Sequence, residues 1–158
     1  MRVAQPPSTM WGLTMWVALV AVAWLFLQPR LHEDRPLLSS MLHIAAVLPF
    51  VTLAYLFLIN DTTLHHVAAF GGEALPLKYR FAATWAAREG PLLMWLGWMS
   101  LVAWLWRRPL PGESGQNSDA HDWRLRFMHL MSLTILLIAF SLDPFKATPA
   151  FFLSLIHI

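Results

Sequence analysis

Charged and aromatic side chains that could bind an anionic group stand close together between two apolar segments of the chain. Lys78, Arg80 and Arg88 supply cations there, Glu89 supplies a carboxylate, and Trp85 lies among them. The guanidinium of arginine offers forked donors to an anion, so this cluster indicates a binding site for one. A second interpretation stays open. Basic side chains also extend to lipid headgroups, and a carboxylate stabilises the amino-terminal end of a helix.

Two histidines lie within or at the edge of apolar segments, near the same end of each. His43 and His129 could face each other across a helical bundle and hold a b-type haem between their imidazoles. An ionisable residue at membrane depth is a functional candidate by default. The other interpretation is structural, with both imidazoles neutral and hydrogen-bonded to neighbouring helices.

The remaining candidate ligands do not have the spacing of a metal site. His65 and His66 are adjacent, and adjacent residues do not normally converge on one ion. The group His32, Glu33 and Asp34 has the same weakness. We therefore predict no metal site and expect both groups to be solvated.

Tryptophans on the third apolar segment could stack on a porphyrin or form an aromatic belt. Trp95, Trp98 and Trp106 fall on one helical stripe, which suits stacking. Tryptophan is also enriched where helices meet the two membrane surfaces, and the distribution of indoles along this segment favours that explanation.

The composition of the 158-residue chain indicates a membrane protein. Hydrophobic residues make up 58% and charged residues 13%, and the mean hydropathy is +0.54. A soluble core of this size could not bury so much apolar surface. The chain has no cysteine, which excludes disulfides and thiol chemistry of its own. A net charge of +2 without a basic run makes nucleic acid an unlikely partner.

Four apolar segments predict an all-α fold, a polytopic membrane protein with four transmembrane helices in a single domain over residues 1–158. A bilayer core of roughly 30 Å takes about 20 helical residues. The predicted spans are residues 11–27, 37–59, 92–106 and 127–142. Arginines at the helix ends favour a periplasmic N-terminus, which puts loop 60–91 in the periplasm and loop 107–126 in the cytoplasm.

A run of small motifs around the charged cluster resembles the first large external loop of the CcmF-type cytochrome c haem lyases. The matching residues are Asn60-Asp61-Thr62-Thr63, Val67-Ala68, Leu75-Pro76, Tyr79-Arg80, Ala82-Ala83, Trp85, Glu89-Gly90, Leu92-Leu93, Trp95 and Asp143-Pro144-Phe145. The resemblance therefore covers most of the chain. It corresponds to an amino-terminal portion that lacks the tryptophan-rich WWD segment, so we expect the chain to be part of a longer protein.

The resemblance implies a component of cytochrome c maturation in a bacterial inner membrane. In the family, the complete protein attaches haem to the thiols of a CXXCH motif in apocytochrome c, working with a haem chaperone and other maturation subunits. The family is thus lyase-like and haem is the implied cofactor. We expect this portion to act as membrane scaffold and periplasmic vestibule, and not to be active alone.

The resemblance also implies a cofactor-binding surface formed by Tyr79, Arg80, Trp85, Arg88 and Glu89, in which the basic side chains would meet a haem propionate. The chain departs from the family pattern at one of these positions. Arg88 stands where relatives have histidine, and a guanidinium can neither ligate iron nor shuttle a proton. The alternative function is a four-helix b-type cytochrome or membrane-anchor subunit with His43 and His129 as haem ligands.

Overall fold

A computed structural model describes residues 8–86, 88–107 and 118–149, and this part of the chain is helical with short connections. The helices in chain order are α1 Ser8–Leu27, α2 Leu31–Asp34, α3 Pro36–Leu58, α4 His65–Phe70, α5 Leu77–Ala83, α6 Glu89–Leu105 and α7 Ser118–Leu142.

The four long helices form a bundle. Helix α1 packs against α3 and α7, and α6 packs against the same two helices from the other side. Their facing side chains make one core, in which Leu53, Phe57, Leu93, Leu96 and Leu136 are completely buried. The all-α prediction is therefore confirmed.

Three helices are long and apolar enough to cross a membrane. The candidate spans are Met10–Leu27, Pro36–Leu58 and Asp119–Leu142. Large apolar side chains also cover the outside of the bundle, which suits a lipid environment and makes the chain a membrane protein. Helix α6 has 17 residues and is not among the three, so the predicted fourth span stays a proposal.

Helix α7 begins nine residues before the predicted span at residue 127. Its first turns contain Asp119 and Asp122, too polar for a hydropathy pattern to include. Arg30 contacts both carboxylates, at 3.4 Å and 2.7 Å, so the early turns are tied to the connection between α1 and α2. The end of predicted loop 107–126 is thus helical, and its residues 108–117 lie outside the described part.

The end of α3 is fixed by the asparagine that follows it. Asn60 has a φ of 56°, in the left-handed region that asparagine tolerates. The Asp61 amide donates to the Leu56 carbonyl at 3.0 Å and the Asn60 amide to Phe57 at 3.2 Å, the pattern of a Schellman motif. The Asp61 carboxylate then accepts from the amide and hydroxyl of Thr63, and these two bonds stabilise the turn.

The segment after α7 returns to the connection between α3 and α4. Asp143 has a φ of 48° and turns the chain at the end of the helix. Leu64 and Ala147 then form an antiparallel bridge, and the Thr148 amide donates to the Thr63 carbonyl at 2.8 Å. We call this end of the bundle, where α3 and α7 end and α6 begins, the long-loop end.

Candidate functional site

The turn between α5 and α6 is packed too closely to accept a side chain at Gly90. A Cβ atom built on Gly90 would lie 1.7 Å from the Thr84 carbonyl oxygen. Thr84 is itself completely buried. Glycine is therefore required where the backbone of α6 meets this turn, and the turn holds Glu89, the first residue of α6, in a defined position.

Trp85 packs into the long-loop end of the bundle. Its ring meets Phe81 edge-on at 4.9 Å between centroids and Phe50 of α3 at 6.0 Å. The indole N–H donates to the Met94 sulfur of α6 at 3.1 Å. The half-buried Trp85 thus joins α3, α5 and α6, and Glu89 lies near it at the start of α6.

Arg80 is directed at backbone carbonyls of its own loop. Its guanidinium donates to the carbonyl oxygens of Leu75 at 2.9 Å, Glu73 at 2.7 Å and Leu58 at 3.3 Å. These bonds join the loop before α5 to the end of α3. The arrangement uses Arg80 to hold the loop in place.

The other members of the predicted cationic surface do not converge with Arg80. Tyr79 is 54% exposed, and the Lys78 ammonium lies 5.0 Å from the centre of its ring. Arg88 is exposed at the start of α6. The structure therefore brings Trp85 and Glu89 to the turn and leaves Tyr79 and Arg88 on the surface.

Glu89 faces a histidine that sequence reasoning assigned to solvent. His66 of α4 is 8% exposed, and its Nδ1 lies 3.8 Å from the Glu89 carboxylate. Its ring packs edge-on against Phe57 at 5.7 Å and lies 5.5 Å from Phe70. The expectation that His65 and His66 are both solvated is thus wrong for His66. Adjacent residues of a helix point in different directions, so one of the pair could be expected to face inward.

Burial has the largest effect on the pKa of His66. Burial lowers the pKa of His66 below its ordinary value, because a charged imidazole is poorly solvated there. The Glu89 carboxylate acts in the opposite direction and the neighbouring His65 adds to the lowering. His66 is therefore neutral at neutral pH.

At the other end of the bundle, His43 and His129 are buried and contact each other. Their Nε2 atoms are 3.5 Å apart, and their ring centres are 5.5 Å apart. His43 Nδ1 lies 2.7 Å from the Ser39 carbonyl, to which it can donate. The cavity lined by both imidazoles has a volume of about 10 Å³, far too small for a porphyrin. This arrangement gives no support to the alternative in which the two imidazoles flank a haem.

His32 lies at the same end and is more enclosed than the sequence suggested. Its Nδ1 is 2.9 Å from the Pro29 carbonyl, and its ring centre is 5.8 Å from that of His121. Only 7% of its side chain is exposed, so the expectation of a solvated group is wrong for His32. Glu33 and Asp34 are exposed, as expected.

Three of the tryptophans on α6 and at its C-terminal end point outward. Trp95, Trp98 and Trp106 are each more than half exposed on the surface of the bundle. Trp104 instead donates its indole N–H to the Ser40 hydroxyl of α3 at 3.1 Å. Indoles on the outer face suit an aromatic belt against lipid.

The described residues do not form a haem site by themselves. Haem needs an iron ligand and cations for its propionates. The Nε2 atom of His66 is buried without a hydrogen-bond partner, but aromatic rings surround the imidazole, and Arg80 is bonded to carbonyls. In residues 8–86, 88–107 and 118–149, no group of three or more His, Asp or Glu is arranged to hold a metal ion.

Comparison with known proteins gives relatives of one kind. The chain is 34% identical over 125 residues to the cytochrome c-type biogenesis protein CcmF of Escherichia coli, which covers 75% of this chain and 18% of the relative. It is 40% identical over 90 residues to NrfE of Haemophilus influenzae, covering 56% and 14%. It is 31% identical over 105 residues to CcmF of the same organism, covering 63% and 15%.

No family model and no solved structure matches the chain. The matched region spans less than a fifth of the length of these relatives. All three relatives are cytochrome c-type biogenesis proteins, and this finding, together with the apolar helices, confirms the resemblance found in the sequence. The chain belongs to the CcmF-type family of cytochrome c-type biogenesis proteins.

Proposed function

We propose that this chain functions in cytochrome c maturation, as the membrane scaffold and periplasmic vestibule of a haem lyase-like assembly. Its relatives are named for cytochrome c-type biogenesis, which supports the role in maturation. The bundle of apolar helices supports the part of scaffold. The attacking thiols would come from the apocytochrome, which is compatible with a chain that has no cysteine.

The proposed location is a bacterial inner membrane, crossed four times, with the N-terminus in the periplasm. Three helices have the length and apolarity for crossing, and α6 is the proposed fourth. The exposed indoles of Trp95, Trp98 and Trp106 would contact lipid on the outer face of this shorter helix. The long-loop end then faces the periplasm.

The proposed vestibule is the surface around the start of α6. Trp85 and Glu89 are its fixed parts, because the turn packed on Gly90 leaves them little freedom. Tyr79 and Arg88 are its exposed parts and could meet an incoming group. Arg80 shapes the loop through its bonds to backbone carbonyls.

The proposed cofactor, haem, and the proposed protein partners are inferred from the family. Haem delivered by a chaperone, an apocytochrome c and other maturation subunits would be met by the complete assembly, of which this chain corresponds to a part. The described residues lack a haem site of their own, so we propose that ligands to the iron come from elsewhere in that assembly. Arg88, exposed beside the turn, is a cation that could meet a propionate.

The observation that carries the proposal is the nearly buried carboxylate of Glu89 at a turn that belongs to the family motif. A carboxylate with 13% exposure and an oxygen without a hydrogen-bond partner is costly to keep in a scaffold. Such a group is explained more simply by a function at this turn than by stability.

The test is cytochrome c assembly in the native host with Glu89→Ala. We expect most covalently bound haem to be lost from c-type cytochromes on haem-stained gels, at an unchanged level of the membrane protein. Glu73→Ala is the matched control, since Glu73 is an exposed carboxylate of the same loop and should leave assembly normal. Normal assembly with Glu89→Ala would contradict the role given to this turn.

A further inference from the structure

His66 and Glu89 are an imidazole and a carboxylate removed from water and aimed at each other. Their side chains are 9% and 13% exposed, and His66 Nδ1 and the Glu89 Oε2 atom are 3.8 Å apart. Neither Glu89 Oε2 nor His66 Nε2 has a hydrogen-bond partner among the described residues. A buried carboxylate oxygen left in this state is unfavourable, and a positive charge on the imidazole that faces it would compensate part of that cost.

The pair joins two elements that are held separately. Helix α4 is tied to the segment after α7 by the bridge between Leu64 and Ala147. Glu89 is held by the turn packed on Gly90. A change in charge on His66 therefore acts between two elements whose positions are otherwise fixed, and it changes how strongly α4 holds the start of α6.

From these contacts we propose that His66 and Glu89 form a buried proton-binding site at the long-loop end. Above its titration midpoint the neutral imidazole directs Nδ1 at the ionised carboxylate. Below the midpoint the imidazole gains a proton at its unprotonated nitrogen, and the pair becomes an ion pair between α4 and α6. The site deepens the role proposed for Glu89, but proton binding itself can be tested without reference to cytochrome assembly.

The charged groups that act on His66 come from two elements. Glu89 of α6 favours the protonated imidazole, and the adjacent His65 of α4 opposes it. Helix α3 contributes the uncharged ring of Phe57. Loss of the Glu89 charge should therefore make His66 harder to protonate, whereas loss of a charge elsewhere in the loop should not.

The experiment is a pH titration of the histidine ring signals by NMR, with the full chain in detergent micelles or nanodiscs. We expect His66 to titrate at a pH below the ordinary histidine value, because burial lowers its pKa. In Glu89→Gln we expect the midpoint to move to still lower pH. Glu73→Gln, an exposed carboxylate lost from the same loop, should leave the midpoint unchanged.

A midpoint for His66 that is equal in the wild type and in Glu89→Gln would overturn the proposal. So would an imidazole that stays neutral throughout the pH range in which the protein is folded. If Glu89→Gln does not fold, Glu89→Asp keeps the charge on a shorter side chain. The titration midpoint of His66 in Glu89→Asp should then lie below that of the wild type, because the shorter side chain holds the negative charge farther from the imidazole. A midpoint equal to that of the wild type would contradict the proposal. Cytochrome assembly is read separately, so loss of that role would not alter the titration.

Discussion

At the scale of residues, the long-loop end depends on side chains whose neighbours the sequence does not reveal. Glu89 was singled out because it precedes an apolar segment, but its partner was not. His66 comes from a helix of six residues, and only the placement of that helix decides which of two adjacent histidines is buried. Arg80 was one of three candidate cations for an anionic group, and in the structure its guanidinium bonds to three backbone carbonyls.

The backbone at Gly90 gives a prediction that does not depend on function. Gly90→Ala would place a methyl group 1.7 Å from the Thr84 oxygen, so the turn must move. We expect a loss of about 3 kcal/mol in stability, as for severe overpacking. The measurement is the unfolding transition of the purified protein in detergent.

Gly12 provides the matched control for this substitution. A Cβ atom there meets nothing within 4 Å, and alanine is the better helix former by up to about 1 kcal/mol. Gly12→Ala should therefore leave stability equal or slightly higher. Equal stabilities for Gly90→Ala and the wild type would contradict the close packing of Gly90 against the Thr84 carbonyl.

Among the helices, the length of an apolar segment is enough to predict the long ones. Where a helix begins with polar residues, its start cannot be predicted from hydropathy. Helices α1 and α3 agree with the predicted spans to within three residues at each end. Helix α7 begins earlier because its first turns are polar and are tied to Arg30. The short helices α4 and α5 lie within the predicted loop 60–91. The sequence suggested a short helix there only over residues 81–87, because six or seven residues carry too little periodicity to fix the position of a helix.

Whether helix α6 crosses the membrane needs a direct test. Because the chain has no cysteine, single substitutions Ala74→Cys and Ser114→Cys give clean reporters before and after this helix. If α6 crosses, an impermeant maleimide should label Ala74→Cys from the periplasm and Ser114→Cys only after the inner membrane is opened. Labelling of both from the same side would mean that α6 does not cross.

At the scale of the whole molecule, the bundle separates two kinds of buried polar group. His43 and His129 meet at the end opposite the long-loop end, and His66 meets Glu89 at the long-loop end. The sequence indicated that both ends hold ionisable residues. It could not indicate which side chains touch, because contacts between α3 and α7, or between α4 and α6, depend on how the helices rotate as they pack.

We propose above all that the chain serves cytochrome c maturation. The most direct test is to delete its coding region in the native host and quantify covalently bound haem in the c-type cytochromes, with the wild-type chain restored from a plasmid as control. We expect loss of holocytochrome c on deletion and recovery on restoration, while b-type cytochromes stay at their normal level. Unchanged holocytochrome c in the deletion strain would contradict it.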